Sequence, residues 1–599
     1  MSRRPTAPLL ITLLLAALLG PSPAAAAKLY GADRCVSDKL RASAEVCEAV
    51  LGAWARYEQD EDQSRVDAAI GRARVKLAKA WSRAEKRVAK ELACSETTVS
   101  SAEVAAAIED AALALGAAVN GGLDLSDQGD ADCGEGILAA AQAACEGLLR
   151  AVSLHVRQKG GDRLRLRLAS DEAAVLADFN DAVGAARATC GTTATPKGLA
   201  DDLDALVDDV VYATTVSPAV DAKGFTAIIP DDEVAYLGKK LRPICSLSTP
   251  YVFFAKRGTV NKLVVYYQGG GACWNYGTCN LPTYKVFADP VDDDPDGFTS
   301  GFADLADPRN PFRDWNSVMV PYCTGDIHWG DNAVDYALND QTLHMEHRGA
   351  VNARVVEKWA RDHFVLPEEV FVTGSSAGAY GAIANAPYHM EFAWPSSQFS
   401  VVGDAGNGVI TNDFLVNDLN NWGLENNLPA WIPAFDGVDL SSLSLVDAYV
   451  EISRYYPHNR FATYTTSYDG GSGGQTGFYN IMLNGGNPVG ALVWWAASCE
   501  WNAMMRAQNQ TTHARAPSNF RYYIGTGSRH TMYGWPGVYD DVTGGVPTIV
   551  DWIGAMLAGA PEWQNVECTD CGTTLPGNPM PAILPNYPFD EDGNIACEE

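Results

Sequence analysis

Two hydrophobic periods divide the chain. Up to about residue 192, apolar residues recur at steps of three and four: Leu40, Ala44, Cys47, Leu51 and Trp54, then Ile70, Ala73, Leu77, Trp81, Ala84, Val88 and Leu92. That spacing places them on one face of amphipathic helices, and the Trp residues among them read as core. The Ala-rich stretches 101–118 and 136–155, and the segment 171–188, continue the helical pattern; a Gly/Asp-rich loop is expected around 120–135. Residues 191–197 are polar and contain Thr and Pro, which marks a linker at about 193–214, with 201–211 as a short acidic helix or part of the tether. From about 215 the period shortens. Strand-like runs occur at 263–267, 317–321, 370–373, 399–402, 461–465 and 521–524, with a helical stretch at 350–364 before the third. Alternating strands and helices predict a mainly parallel sheet covered on both faces.

Charge and cysteine usage sharpen this division. Residues 201–599 carry 20 basic and 48 acidic side chains, a surplus that opposes nucleic-acid binding, which needs clustered Lys and Arg. At the start, Arg3 and Arg4 precede an apolar run at 9–19 and small residues at 24–27, which predicts a cleavable export signal over 1–27. The run is too short for a membrane span of about 20 residues, and the residues after the arginine pair do not make a twin-arginine signal. Of 14 Cys, six precede residue 200 and eight follow it. Both counts are even, as disulfides formed separately within each part in an oxidising compartment would require. Cys568-x-x-Cys571 lacks a second pair at zinc spacing, so it reads as a disulfide. The expected organisation is a signal over 1–27, helices over 28–192, a linker over 193–214, and an α/β region over 215–599 ending in a Pro/Gly-rich tail.

The chemistry lies in the α/β region. Gly374-Ser-Ser-Ala-Gly378 matches G-x-S-x-G between a strand and a small-residue helix, the context of a nucleophile elbow. Ser376 is then the nucleophile, and Ser375 fills the first variable position. Upstream, a strand ends in Gln268-Gly-Gly-Gly-Ala-Cys-Trp274. Glycines there let backbone N–H groups approach a substrate oxygen, which makes Gly270, Gly271 and Ala377 the candidate oxyanion hole. An activated Ser needs a base and an orienting acid, in the chain order Ser, acid, His. His530 follows the strand at 521–524, whereas His458 and His513 follow none. For the acid, Asp469 follows the strand at 461–465, one strand before His530 and the usual place; Asp404 follows the earlier strand at 399–402 and is the rival, which leaves it a structural or pocket residue. Three weaker patterns remain. Asp292, Asp294 and Asp296 begin like a calcium loop, but Ala303 stands where a bidentate Glu belongs. Asp590-Glu-Asp-Gly593 is a shorter acidic run. His328, His344 and His347 lack metalloprotease spacing, so no metal is expected.

These motifs resemble pectin acetylesterases and the related Notum carboxylesterases. The resemblance rests on 266–275 (Tyr-Tyr-Gln-Gly-Gly-Gly-Ala-Cys-Trp-Asn), 316–330 (Asn-Ser-Val-Met-Val-Pro-Tyr-Cys-Thr-Gly-Asp-Ile-His-Trp-Gly), 374–381 and 403–406 (Gly-Asp-Ala-Gly), in the family's order across about 215–560. It implies an α/β-hydrolase fold, no cofactor, and ester hydrolysis by Ser376, Asp469 and His530 with Gly270, Gly271 and Ala377 as oxyanion donors. It further implies an exported enzyme removing O-acyl groups, foremost acetyl, from a polysaccharide or another ester. A Notum-type lipid or protein O-deacylase and an inactive hydrolase fold used for binding are the alternatives. Gly271 departs from the bulky aromatic of Notum-like members, 470–474 is unusually glycine-rich, and a Cys associated with plant members is absent near His530. The resemblance does not reach the N-terminal helices.

Overall fold

The computed structural model describes residues 31–88, 99–157, 161–217, 219–281, 283–571 and 597. The expected export signal, Cys94, the tail at 572–596 and its acidic run at 590–593 lie outside the described residues. Six helices come first: α1 Gly31–Asp60, α2 Gln63–Val88, α3 Ser101–Val119, α4 Gln128–Arg157, α5 Gly161–Arg187 and α6 Pro196–Thr215. The predicted stripes meet in one core, where Leu40, Cys47, Leu51, Leu77 and Trp81 pack with Ile137 and Leu148. α4 is the one helix among the described residues long and apolar enough to cross a membrane, and half of its apolar window is buried inside the structure.

Two expectations change here. The loop predicted at 120–135 is shorter, because Asp127 accepts from the N–H groups of Gly129 and Asp130 and α4 starts at Gln128. The predicted linker is mostly α6. Thr195 caps it, Pro196 opens it, and Leu199, Leu203, Leu206, Val207 and Val210 are buried. α6 ends against the α/β region: Val365 N–H donates to Thr215 O at 3.0 Å, and Tyr212 Oη donates to Gly258 O at 2.6 Å.

Thirteen strands follow: β1 Thr226–Ile228, β2 Val234–Tyr236, β3 Lys239–Leu241, β4 Phe253–Lys256, β5 Val260–Tyr267, β6 Trp315–Val320, β7 Asn332–Leu338, β8 Gln341–His347, β9 Glu369–Ser375, β10 Gln398–Asp404, β11 Arg460–Thr466, β12 Phe520–Gly525 and β13 Val566–Glu567. The helices among them are α7 Tyr276–Asn280, α8 Gly349–His363, α9 Ala377–Tyr388, α10 Asn412–Asn417, α11 Leu445–Tyr455, α12 Gln475–Leu483, α13 Ser498–Arg515 and α14 Ile549–Ala558. Nine strands form one sheet in the order β1-β4-β6-β5-β9-β10-β11-β12-β13. Only β4 runs against its neighbours β1 and β6; the remaining pairs are parallel. This crossing order, with one reversed strand near an edge and a sharp strand-to-helix turn after the fifth strand of the sheet, is the α/β-hydrolase fold. β7 and β8 form a separate hairpin.

The central strands are buried on both faces, as their unbroken Val, Phe and Thr runs require. Disulfides join Cys47–Cys145 and Cys133–Cys190 among the helices, and Cys245–Cys323, Cys273–Cys279, Cys499–Cys597 and Cys568–Cys571 in the α/β region. None of these six bonds crosses between the two parts.

Candidate active site

Ser376 stands at the turn between β9 and α9, with φ +57° and ψ −120°. A non-glycine residue is strained there, and the turn is accommodated because Gly374 and Gly378 stand two residues away on each side. A Cβ on Gly378 would collide with the carbonyl of Tyr267, and one on Gly374 with the carbonyl of Gly378. The Ser376 N–H donates to Asp404 O at 2.7 Å. Ala377 is the first residue of α9, where an N–H has no partner within its own helix.

The glycine loop after β5 lies against this turn. A Cβ on Gly269 would collide with the Ser375 carbonyl, and Gly270 and Gly271 adopt φ +148° and +79°. Behind the loop is a brace that no motif announced. Lys285 N–H donates to Gly270 O at 2.6 Å, and its Nζ pairs with buried Asp293 at 2.7 Å. Gln268 Nε2 donates to the same carboxylate at 2.9 Å, while its Oε1 accepts from Tyr322 N–H. The suspected calcium loop is therefore put to another use. Asp293 turns inward, Asp294 caps the N–H of Asp296, and Asp296 accepts from Phe225 N–H.

The base and acid come from the loops after β12 and β11. His530 Nδ1 lies 2.5 Å from Asp469 Oδ1. The His530 side chain is 21% exposed, yet its Nε2 is sealed from solvent and has no hydrogen-bond partner. Asp469 is fully buried; it also accepts from Gln475 N–H at 3.0 Å and from Thr465 Oγ1 at 3.3 Å. The glycines after it let the chain wrap the carboxylate, since a Cβ on Gly474 would collide with the Gly470 carbonyl. Tyr468 and Gly470 N–H groups donate to Gly527 O and Ser528 O, which ties the acid's loop to the base's loop. Burial disfavours the imidazolium of His530, but attraction to Asp469, their hydrogen bond and the charge of Asp404 outweigh it and raise its pKa above the ordinary value.

The other candidates are occupied elsewhere. Asp404 does not bond to the His530 ring; it accepts from Ser375 Oγ and from the N–H groups of Met532 and Tyr533. His513 Nδ1 faces Phe520 O. His328 is buried against Tyr267 and Tyr322 and meets Gln268 O at 2.9 Å; desolvation outweighs that bond and pulls its pKa down to about 4. His344 pairs with Asp335, and His347 is held by Tyr336 and the Thr324 carbonyl. Ligand atoms of Cys273, Cys279 and His347 cluster within 4.8 Å, but the two sulfurs form a disulfide, and a disulfide offers a metal no thiolate.

Residues 244–422 match the family profile described as Pectinacetylesterase. The palmitoleoyl-protein carboxylesterase NOTUM of Schmidtea mediterranea is 26% identical over 22% of this chain and 26% of its own. Pectin acetylesterase 11 of Arabidopsis thaliana is 31% identical over 24% of this chain and 37% of its own. Over this part the chain is similar to the pectin acetylesterase and Notum family. It spans well under half the length of these two relatives. Among solved structures, the Drosophila Wnt deacylase Notum aligns at 14% identity with a TM-score of 0.37, covering 55% of this chain and 93% of that one. The profile match contains the glycine loop and Ser376 and ends before Asp469 and His530. These two side chains pair with each other, and His530 Nε2 makes no hydrogen bond to Ser376 Oγ in this structure.

One open cleft of about 530 Å³, its mouth included, is lined by Ser376, Gly271 and Ala377 together with Trp274, Phe414, Trp422, Phe478 and Met482. No local sequence pattern marks this apolar wall, because its residues come from segments far apart in the chain. Its polar groups are largely engaged already. Tyr380 Oη donates to Gln475 Oε1, Gln475 Nε2 to Ala405 O, and Trp422 Nε1 to Cys273 O.

Proposed function

We propose that the protein is an exported serine carboxylesterase that removes an apolar acyl group from a hydroxyl of a polar acceptor such as a polysaccharide. One observation carries this reading. A serine at a strained strand-to-helix turn shares a cleft with Gly271 and Ala377. Beside that turn, buried Asp469 holds Nδ1 of a histidine whose Nε2 is unpartnered. In the proposed reaction Ser376 Oγ attacks the ester carbonyl while His530 Nε2 takes its proton. Gly270, Gly271 and Ala377 N–H groups bind the developing oxyanion. His530 then gives the proton to the leaving alkoxide, which departs as the free alcohol. Water, activated by the same His530, hydrolyses the acyl-Ser376 ester and releases the carboxylic acid.

The cleft bears on which half of the ester enters. A sugar hydroxyl acceptor would lose its hydrogen bonds against walls of Trp274, Phe414, Trp422 and Phe478, at a cost of several kcal/mol. The acyl group loses nothing there, so it occupies the cleft and the acceptor stays in water. This favours acyl groups longer than acetyl, in the direction of the Notum relatives, and leaves acetyl as a small substrate that fills little of the space. The acidic surplus after residue 200 favours a neutral acceptor over a bare polyuronate, which it would repel over a Debye length of about 8–10 Å.

The test is hydrolysis by the full chain of p-nitrophenyl butyrate and of an acylated neutral polysaccharide. Release of nitrophenolate or free acid well above buffer is expected. A folded chain that releases neither overturns the reading and leaves a binding protein on a hydrolase fold.

A further inference from the structure

We propose that Asp404 is a positioning residue, whose one carboxylate fastens the residue before the nucleophile to the loop that follows the base. The proposal rests on the serine-esterase reading. Asp404 ends β10, in register with Ser375 on β9 and Tyr464 on β11, and its side chain is fully buried. Oδ2 accepts from Ser375 Oγ at 2.5 Å and from Tyr533 N–H at 3.1 Å. Oδ1 accepts from Met532 N–H at 2.8 Å, and the backbone carbonyl accepts from Ser376 N–H at 2.7 Å. Only Thr531, at φ +64°, separates His530 from the clamped Met532. The nucleophile's turn and the base's loop therefore both hang on Asp404.

The clamp needs a carboxylate. Three donors converge on two oxygens, and an ionised Asp only accepts. An Asn in the same place would turn an NH₂ group toward at least one of those donors. The charge also reaches His530, whose imidazolium it favours. The groups around it are Ser375 from β9, Tyr266 from β5, Tyr464 from β11, and His530 and Tyr533 from the loop after β12. Arg529 bonds to Tyr464 Oη, and Asp469 holds the far side of His530. Desolvation raises Asp404 to about 6 against the pull of its three hydrogen bonds and of His530, so protonation disarms the clamp at mildly acidic pH.

The experiment compares the full chain with its Asp404→Asn and Ser375→Ala variants, each confirmed as folded by circular dichroism. Two quantities are read: turnover of p-nitrophenyl butyrate against pH, and the titration of His530 by NMR with labelled histidine. A base displaced by about 1 Å loses up to 10²-fold in rate. Asp404→Asn should therefore lower kcat by roughly 10- to 10²-fold with KM nearly unchanged, because Asp404 does not line the cleft. Loss of the negative charge should lower the His530 pKa. The acid limb of kcat should then move to lower pH and fall with the slope of one group instead of two. A role confined to stability would leave that limb in place.

Ser375→Ala keeps the charge and removes one donor, so it should move the lower inflection of the limb upward; it is the deciding variant if Asp404→Asn does not fold. Variants with an unchanged His530 titration and an unchanged acid limb overturn the proposal. So does an Asp404→Asn enzyme without turnover beside an Asp469→Asn enzyme keeping more than about a tenth, since Asp404 would then be the triad acid. If the wild-type chain has no turnover at all, the esterase reading fails, and the NMR titration still decides whether Asp404 acts on His530.

Discussion

Asp469→Asn is expected to lower kcat on p-nitrophenyl esters by on the order of 10⁴ while the fold is retained, the loss seen when a triad aspartate becomes Asn in a serine protease. The buried carboxylate accepts from His530 Nδ1, Gln475 N–H and Thr465 Oγ1. Asn has one acceptor oxygen where Asp has two. If that oxygen faces His530, the NH₂ group is forced against the N–H of Gln475 or the hydroxyl of Thr465. If it turns away, the NH₂ group meets Nδ1 and selects the tautomer that leaves Nε2 protonated and unable to act as a base. Either arrangement also removes the charge that stabilises the imidazolium. A factor of 10⁴ is about 5.4 kcal/mol in the barrier, whereas a tenfold loss is only about 1.4. KM should change little, because Asp469 does not line the cleft. Circular dichroism checks the fold, and initial rates check the loss. An Asp469→Asn enzyme within tenfold of wild type would contradict its assignment as the orienting acid.

Chain length should matter almost as visibly. Each methylene buried in an apolar site contributes roughly 0.8 kcal/mol, a factor of about four. Replacing p-nitrophenyl acetate by the butyrate adds two methylenes against Phe414, Phe478 and Met482, so kcat/KM should rise about 15-fold. Phe478→Asp, which sets a charge in the same wall, should remove most of that preference and leave acetate turnover far less affected. A flat profile from acetate to butyrate would mean that the acyl group does not enter this cleft.

The parts of the site that could be read from the sequence are those whose chemistry demands a local pattern. Ser376 was legible because the elbow needs glycines on both sides between a strand and a helix. The order of the sheet places Asp469 and His530 in loops after successive strands, where their side chains pair. The Asp293–Lys285–Gln268 brace was not legible. Spacing singled out Asp292, Asp294 and Asp296, and it cannot tell which carboxylate of an acidic loop turns inward. The sequence marks Asp404 as a rival acid or a structural or pocket residue but cannot show the clamp, since its work depends on two N–H groups more than a hundred residues away.

The same limit applies to the fold. β4 pairs in reverse between β1 and β6, a contact that no local period encodes. α6 could have been found: Thr195 and Pro196 form a helix start, and Leu199, Leu203, Leu206 and Val210 make a stripe. The polar residues at 191–197 just before it read as a linker and mask that stripe. The cleft wall stayed hidden because Trp274, Trp422 and Phe478 come from three separate segments.

The most direct test is covalent labelling with a fluorophosphonate, followed by peptide mapping. Such a reagent phosphonylates a serine only when a neighbouring base activates it. The expected result is one phosphonate per chain, on Ser376, with none on the heat-unfolded protein or on Ser376→Ala. A folded wild-type chain left unlabelled, or labelled equally well after Ser376→Ala, would contradict Ser376 as the activated nucleophile.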